Sequence, residues 1–430
     1  MNLESLINPP SLRHPQSRRA FVEACARMAF GTTVLPLLAP STALAQGTAR
    51  GRGFGSARHI IFLQLRGGMS HIDTFDPKSG SSKGPRGAVS AKGGMQLSEF
   101  LPQTARVSDR IAVVRSMSAK VGVHAAAQYL IRTGYEQRGT VQHPCLGAWA
   151  QHYLGASTKS LPSSVCINHN SAHGNGFFAP GLSPLPILDP DSGLQHATSE
   201  AGIPVLEKRL GLVKDVDRVF REKYPDENVR AYNEFYDATL QLMKSSELKA
   251  FDLTQEPAKV RESYGNSKFG RGCLLARRLV QHGVRYVEVS SGNWDMHTGL
   301  EDRMEEVGGE FDRGFAALLE DLTATGLLKN TLVVVATEFG RKPAFDGSGR
   351  GHYPKAFSTV LAGAGIKRGF VYGATDEQGA EVVEGEMSVG NLHATIGWAA
   401  GLPIEQIVMS PSERPFTVGN KSKPVLDLFA

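Results

Sequence analysis

The stretch HIIFLQL at residues 59–65 is a continuous apolar run that stops at the glycine pair Gly67-Gly68. The stretch TLVVVAT at residues 331–337 is the clearest second run of this kind. Strands that are covered by helices on both faces have this composition, because neither face meets water. We therefore predict that both runs are central strands of a mainly parallel sheet.

Further strands and helices alternate around these two runs. Short apolar runs at 111–114, 284–289 and 357–361 predict three more strands. Apolar residues at helical spacing predict helices over residues 271–282 and 311–322. Strands that alternate with helices indicate an α/β fold, with a mainly parallel central sheet and helices on both faces.

Residues 1–45 have the layout of an export signal. Arg18 and Arg19 precede a weakly hydrophobic stretch over 20–40, and Ala43-Leu44-Ala45 places small residues where a signal peptidase cuts. The paired arginine indicates the twin-arginine route. We therefore expect the twin-arginine export machinery as a partner and a periplasmic or secreted mature protein. An amphipathic helix of a cytoplasmic protein is the alternative interpretation.

The rest of the chain divides by composition. Residues 46–57 are rich in Gly, Arg and Ala and are interpreted as a flexible linker. Residues 58–430 are expected to form a single α/β domain. Within it, residues around 190–260 are rich in charge and helix formers and predict a helical insertion or cap. No run of about 18 uncharged apolar residues follows the signal, so we expect no membrane span in the mature chain.

Charge and cysteine usage narrow the range of functions. The formal net charge is +5, and basic residues do not cluster with aromatic ones, so we expect no nucleic-acid partner. Cys145, Cys166 and Cys273 remain after the signal and lack the spacing of a metal site. One disulfide among them is possible in an oxidising compartment, and every pairing stays open.

Polar side chains follow the ends of four predicted strands. Ligands of open α/β sheets bind beyond the carboxyl ends of the strands, so these side chains are the candidate site. In chain order the candidates are Ser70, His71, Asp73, His124, Asp295, His297, Glu338, Arg341 and His352.

The imidazoles and carboxylates of this set suit a divalent ion such as zinc, manganese or iron. Asp295 and His297 lie two apart in a loop and can face one ligand. We expect them to form the main metal site with His352, with Glu338 nearby and Asp73 as a further ligand. The alternatives are a surface turn at Asp295 and a salt bridge from Glu338 to Arg341.

The other candidates have expected roles in acid–base chemistry or anion binding. His71 and His124 are expected as further ligands or acid–base groups, and Arg341 as the residue that holds an anionic oxygen. Ser70 is the best-placed hydroxyl, although adjacent residues such as His71 rarely make a nucleophile–base pair. The alternatives are a hydrogen-bonded turn around His71 and a helix cap at His124.

Three longer motifs carry a resemblance to a known family. They are LRGGMSHIDTFDPK at 65–78, GNWDMH at 292–297 and TEFGR at 337–341, supported by GCLLARRL at 272–279 and GVRYV at 283–287. Together they resemble the twin-arginine-exported, sulfatase-like family called domain of unknown function 1501. That family is related in fold to the alkaline phosphatase and sulfatase superfamily. The resemblance implies an α/β sandwich with a metal site at the strand ends.

The chain departs from the pattern that the resemblance implies. Members with known activity place a metal-binding Asp after the first strand, where this chain has Arg66, and an Asp-His pair where it has Glu338-Phe339. Their nucleophile lies near the second strand, where this chain has His124. Two hypotheses stay open. The first is a metal-dependent hydrolase of anionic small-molecule or polymer esters of phosphate or sulfate. The second is a non-catalytic exported binding or assembly protein.

Overall fold

The computed structural model describes residues 51–170, 174–195, 197, 201–223, 237 and 239–430. The expected export signal and the first five residues of the expected linker lie outside the described residues. The main unit of the fold comprises residues 51–406 and 418–430. Residues 407–417 belong to a second unit, in which Val408–Met409 and Pro415–Phe416 form an antiparallel pair.

The main unit is built on a nine-stranded sheet, counted over the described residues. The strands are β1 (His59–Leu65), β2 (Ile111–Ser118), β3 (Ser164–Ile167), β4 (Leu185–Ile187), β5 (Tyr286–Ser291), β6 (Thr331–Thr337), β7 (Phe357–Ala362), β8 (Phe370–Tyr372) and β9 (Met387–Ser388). Their order is β8-β2-β7-β6-β1-β5-β3-β4, and β9 pairs with β2. Within this sheet β7 is antiparallel to β2 and β6, and the other pairs are parallel. The predicted mainly parallel α/β sheet is confirmed.

Helices follow most of the strands. The α-helices are α1 (Pro102–Arg106), α2 (His124–Thr133), α3 (Leu146–Leu154), α4 (Ile203–Val216), α5 (Arg218–Lys223), α6 (Ala258–Ser263), α7 (Lys268–Gln281), α8 (Leu300–Arg303), α9 (Gly309–Ala324) and α10 (Val389–Ala399). A π-helical turn over Met304–Gly308 joins α8 to α9. Among the described residues, no helix is both long enough and apolar enough to cross a membrane.

Helices cover both faces of the sheet, as the apolar runs predicted. Tyr286 and Val289 lie three apart on β5, so they point to opposite faces. A Cβ at Gly272 of α7 would lie 2.7 Å from Val289, and one at Gly147 of α3 would lie 2.7 Å from the Tyr286 ring. Close helix packing on both sides explains why the central strands β1 and β6 are apolar at almost every position.

Helix α9 buries its predicted apolar face and also one acid. Asp312 of α9 is buried, and its carboxylate accepts hydrogen bonds from the Gln103 and Thr104 backbone nitrogens at 2.8 and 2.6 Å. These nitrogens open α1, whose N-cap residue Leu101 has no side-chain cap. An acid on a neighbouring helix thus serves as the cap, a contact worth about 1 kcal/mol.

The described part of the expected linker packs against the fold. Ala57 N donates to Ala399 O at 2.8 Å, and Trp398 Nε1 donates to Arg52 O at 2.9 Å. The ring of Phe54 meets that of Trp398 with centroids 4.8 Å apart. The expectation of a flexible linker is therefore wrong for residues 51–57, because these contacts attach them to α10.

The region expected to be a helical insertion contains α4, α5 and α6 and two 3₁₀ turns at Ser246–Phe251 and Leu253–Gln255. No strand lies between 190 and 260 in its described part. The role of this region as a cap stays a prediction. Cys145, Cys166 and Cys273 are buried free thiols, so none of the pairings left open is formed.

Candidate metal centre

Three side chains from separate strand ends converge beyond the carboxyl edge of the sheet. His124 opens α2 after β2, Asp295 lies in the loop after β5, and His352 follows β6 on a short strand that pairs with Gly340–Arg341. Each side chain offers one ligand atom, and these three atoms lie within 4.8 Å of one another. Asp295 is the common neighbour, because its Oδ2 lies 3.3 Å from His124 Nε2 and its Oδ1 lies 3.3 Å from His352 Nε2.

Both imidazoles have their Nδ1 atom held by an acceptor. His124 Nδ1 lies 2.8 Å from Glu338 Oε1, and His352 Nδ1 lies 2.9 Å from Gly122 O. An acceptor at Nδ1 holds a proton on that atom, and in the neutral imidazole this leaves the Nε2 lone pair for another partner. Within the described part of the chain, the buried His124 Nε2 makes no hydrogen bond of regular geometry, and Asp295 Oδ2 faces it at 3.3 Å. Metal-binding histidines have this arrangement, with the far ring nitrogen fixed by a carboxylate or carbonyl.

His297 stands at the open side of this cluster. Its Nε2 lies 3.0 Å from Asp295 Oδ1 and 2.9 Å from His352 Nε2. In the neutral His352 imidazole, Nε2 carries the lone pair, and His297 Nε2 is then the donor between the two rings. The structure thus places Asp295, His297 and His352 side by side, together with His124, which the sequence offered as a further ligand or an acid–base group.

The loop that carries Asp295 is anchored by its neighbour Trp294. The Trp294 ring is buried against Phe311 of α9, with centroids 5.8 Å apart, and its Nε1 donates to Ser291 Oγ at 3.1 Å. Gly67, with φ 120°, lies so close that a Cβ would be 2.4 Å from the Asp295 nitrogen. Only glycine fits both that conformation and that approach.

Asp295 is ionised at neutral pH. Burial raises the pKa of Asp295, but the hydrogen bond and charge of Arg341 outweigh it, together with the charges of His124 and His297. The resulting pKa is about 2. The side chain is nevertheless 44% exposed, so an ion can reach it from solvent.

Glu338 is fully buried and supports the centre from behind. Its Oε1 accepts hydrogen bonds from Gly67 N at 2.8 Å and from Gln128 Nε2 at 3.2 Å, besides its contact with His124. Burial raises the pKa of Glu338, and the hydrogen bonds from His124 and the backbone lower it further than burial raises it. Glu338 therefore orients His124 and does not pair with Arg341, which was the alternative.

The N–H donors of Arg341 are used in contacts within the protein. It is buried, and its Nε donates to Gly68 O at 2.7 Å and its Nη1 to Arg350 O at 3.0 Å. Its Nη2 contacts Gly67 O and pairs with Asp295 Oδ1 at 2.5 Å. The expectation that Arg341 holds a substrate oxygen is therefore wrong, because this guanidinium ties three loops together.

Ser70, His71 and Asp73 are buried away from the imidazole cluster. Ser70 Oγ donates to Asp73, which also pairs with Arg350 Nε at 2.8 Å. His71 Nε2 donates to Gly379 O at 2.8 Å, and burial lowers the pKa of His71. The expected roles of Ser70 and His71 in catalysis and of Asp73 as a ligand are corrected, because Ser70 contacts Asp73, Asp73 also contacts Arg350, and His71 contacts the Gly379 carbonyl.

Three residues beside the cluster were missed in the sequence. Gln128 lies one turn after His124 on α2, so the i, i+4 spacing was a usable signal. Phe339 packs against the imidazoles of both His124 and His352, with centroids 4.8 and 4.7 Å away. Arg350 pairs with an acid 277 positions earlier, for which no local signal exists.

A cavity of about 590 Å³ lies elsewhere, where β2 and β8 begin. Its lining includes Arg110, Leu328, Ile366 and Phe370 but none of the expected site residues. We place the chemistry at the imidazole cluster, because ligand identity and geometry decide a metal site more directly than volume does.

The fold and the cluster define an α/β protein with a candidate metal centre beyond the strand ends. The chain belongs to the family described as "Protein of unknown function (DUF1501)", whose sequence pattern matches residues 57–429. The family membership that the motifs predicted is confirmed. No curated protein matches the chain by sequence.

Several solved structures are similar to this chain. One is the lipoteichoic acid synthase LtaP from Listeria monocytogenes, with 8% identity, TM-score 0.43 and coverage of 82% of this chain and 75% of that one. Another is the PsFucS1 sulfatase from Pseudoalteromonas sp., with 12% identity, TM-score 0.38 and coverage of 85% and 73%. A third is the alkaline phosphatase from the Antarctic bacterium TAB5, with 11% identity, TM-score 0.33 and coverage of 72% and 92%.

Proposed function

We propose that the protein is an exported, metal-dependent hydrolase of phosphate or sulfate esters. His124, Asp295 and His352 would hold one divalent cation, and His297 would stand at its open side. The observation that carries the proposal is the orientation of the two imidazoles. Each Nδ1 is held by an acceptor, and each Nε2 faces the same carboxylate.

The donor set fits such an ion. Two imidazole nitrogens and one carboxylate oxygen suit zinc or manganese. Three protein ligands with an open side are typical of catalytic sites, whereas structural zinc sites are closed by four ligands. When bound, the ion would act as a Lewis acid that polarises an ester oxygen.

The protein's own residues have distinct tasks in this proposal. Glu338 keeps the proton of His124 on Nδ1, and Arg341 fixes Asp295 in place. His297 is half-exposed and can accept or release a proton at Nε2 beside the substrate. The choice of phosphate or sulfate esters rests on the sequence motifs shared with a sulfatase-like family. The substrate would be an anionic small-molecule or polymer ester.

Ser70 and the three cysteines do not suit a covalent mechanism. Ser70 is bound to Asp73, and Cys145, Cys166 and Cys273 are buried. Burial raises the pKa of the Cys145 thiol to about 11 and raises those of the other two further. We therefore propose that water attacks the ester directly.

The orientation of the two imidazoles also favours one second candidate. This is a non-catalytic exported protein that binds the cation or assembles with a partner. The two candidates differ in turnover and share the metal centre. Stoichiometric metal without hydrolysis of any ester would select the second candidate.

The test is metal analysis of the purified protein, followed by turnover of aryl phosphate and aryl sulfate esters. We expect stoichiometric divalent metal, and loss of both metal and turnover in His352→Ala. His282→Ala is the matched control, because His282 also contacts an acid, Glu247 at 2.7 Å, and its side chain is similarly exposed, 21% against 27%. A wild-type protein without metal, or a His352→Ala variant that retains it, contradicts the proposal.

Export by the twin-arginine route is part of the proposal and is tested separately. Replacing Arg18 and Arg19 by lysine in the full chain should leave the protein in the cytoplasmic fraction. Equal amounts of the wild type and the variant in the periplasmic fraction would refute that route.

A further inference from the structure

We propose that Arg66 forms a binding subsite for the anionic oxygens of the substrate, beside the candidate metal centre. The inference rests on the proposed function, because the anion is the phosphate or sulfate group of the ester. It assigns to Arg66 the task that Arg341 is unable to perform.

The backbone of Arg66 is fixed next to the loop that carries Asp295. Arg66 N donates to Ser291 O at 2.7 Å, and Arg66 O accepts from Trp294 N at 3.2 Å. Trp294 directly precedes Asp295. The position from which the Arg66 side chain starts is therefore set by the sheet and does not depend on a mobile loop.

The side chain of Arg66 is exposed to solvent and makes a weak hydrogen bond to Gln128. Its Nη2 donates to Gln128 Oε1 at 3.3 Å, while Gln128 Nε2 donates to Glu338 at 3.2 Å. Gln128 is one helical turn from His124. Its side chain connects the Arg66 guanidinium to Glu338, the carboxylate that orients His124. This hydrogen bond is long, so it is easily exchanged for a stronger contact with an anion.

The other arginines around the centre are occupied. Arg341 donates to the Gly68 and Arg350 carbonyls and to Asp295. Arg303 donates to the carbonyls of Asp295 and Asn293 at 2.8 and 2.6 Å. Of these three guanidinium groups, that of Arg66 has the most N–H donors left for a ligand.

The charges around the candidate metal centre explain why the positive charge of Arg66 would favour binding of the substrate. Asp295 and Glu338 are both anionic and would repel an incoming phosphate or sulfate. A divalent ion offsets that repulsion at the reacting centre, and Arg66 adds a second positive group at the solvent side. A guanidinium can bind two oxygens of one tetrahedral anion at once, which a lysine ammonium cannot do with the same geometry.

The experiment measures binding of inorganic phosphate and inorganic sulfate to the metal-loaded protein by calorimetry. We expect Arg66→Met to weaken this binding roughly 10- to 100-fold, the usual range for a charge-assisted hydrogen bond. Arg66→Lys should recover part of the loss. Arg368→Met is the matched control, because Arg368 is also exposed and lies just before β8, at the opposite edge of the sheet. Its anion affinity should equal that of the wild type.

Metal content should stay at the wild-type level in Arg66→Met, which separates loss of the subsite from loss of the centre. In turnover assays the variant should raise KM more than it lowers kcat. Equal anion affinity in the wild type and Arg66→Met overturns the inference, even if the ester hydrolysis stands. Anion binding that depends on Arg66 without any turnover supports the subsite and overturns the hydrolase function.

Discussion

Two clusters in this protein contain the same residue types, a carboxylate, a histidine and an arginine, with different consequences. In the candidate metal centre, Asp295 meets His124 and Arg341 at a partly open edge. In the second cluster, Glu288 of β5 meets Arg132 Nε at 2.9 Å and His169 Nε2 at 3.0 Å. All three side chains of this buried triad are under 10% exposed.

The carboxylates of both clusters are held ionised. Burial raises the pKa of Glu288, and the charges of Arg132 and His169 outweigh it, so that the pKa falls to about 2. The pKa of Asp295 is also about 2. Ionisation alone therefore does not distinguish a binding site from a structural ion pair.

What distinguishes the clusters is the number of imidazoles that face one carboxylate and the access of that carboxylate to solvent, 44% exposed for Asp295 and 1% for Glu288. The triad has one imidazole, and its Nδ1 contacts Asn170 O while its Nε2 faces Glu288. The metal centre has two imidazoles whose Nε2 atoms face one exposed carboxylate. A site needs converging lone pairs and an entry path, whereas an ion pair needs only charge balance.

The largest expected effect comes from removing the carboxylate that both imidazoles face. Asp295→Ala should lose its metal and lower turnover by at least about 1,000-fold, because a Lewis acid contributes several kcal/mol and 1.4 kcal/mol is a factor of ten. Metal content and ester turnover are measured on one preparation, with thermal unfolding as the check on folding. A folded variant that keeps its metal and its rate would remove Asp295 from the centre.

Removing the carboxylate charge of the buried triad should have the opposite effects, a loss of stability without a loss of metal. Glu288→Gln leaves the buried Arg132 guanidinium without its counter-charge, so we expect it to lower the free energy of unfolding by about 3 kcal/mol. Metal bound per folded molecule should not change. Urea unfolding and metal analysis together test this. A stable variant that has lost its metal would reverse the assignment of the two clusters.

The contribution of Glu288 should also depend on pH. The pKa of Glu288 is lowered in the folded protein, so its stabilisation is fully present above the ordinary value near 4.5 and is lost as the pH falls toward about 2. The difference in unfolding free energy between the wild type and Glu288→Gln should therefore shrink from about pH 4.5 downward. Urea titrations from pH 7 to pH 3 measure it. A difference that is constant over this range contradicts the assignment.

A smaller effect is expected from the residue that orients His124. Glu338→Gln keeps the size of the side chain but removes the charge that holds the His124 proton on Nδ1. We expect metal affinity to fall roughly 10- to 100-fold, as for other partners of metal-binding histidines. Competition with a chelator of known affinity measures this change. Unchanged affinity would mean that His124 is not a ligand.

The fold was predictable because its signals are local. The runs HIIFLQL and TLVVVAT are β1 and β6, and they lie side by side at the centre of the sheet. The position of the site was predictable for a related reason, since polar residues after strand ends gather at one edge. The residue types of the centre followed from this rule.

The pairing of those residues was not predictable, because it depends on contacts between distant parts of the chain. His124 contacts Glu338 at a separation of 214 positions, and Asp73 contacts Arg350 at a separation of 277. Nothing local shows that Asp73 is neutralised while Asp295 stays accessible. Glu288 did have a local signal, as an acid between valines in a buried strand, and it was overlooked.

Arg341 has a consequence for how the protein would acquire the proposed cation. It joins the turn after β1, the Asp295 loop and the chain before His352 in one buried contact network. The loss of conformational entropy in those segments is therefore incurred when the chain folds and not when an ion arrives. Chelation should empty the centre without unfolding the protein, and reloading should be fast, in contrast to small zinc domains that fold only around their metal.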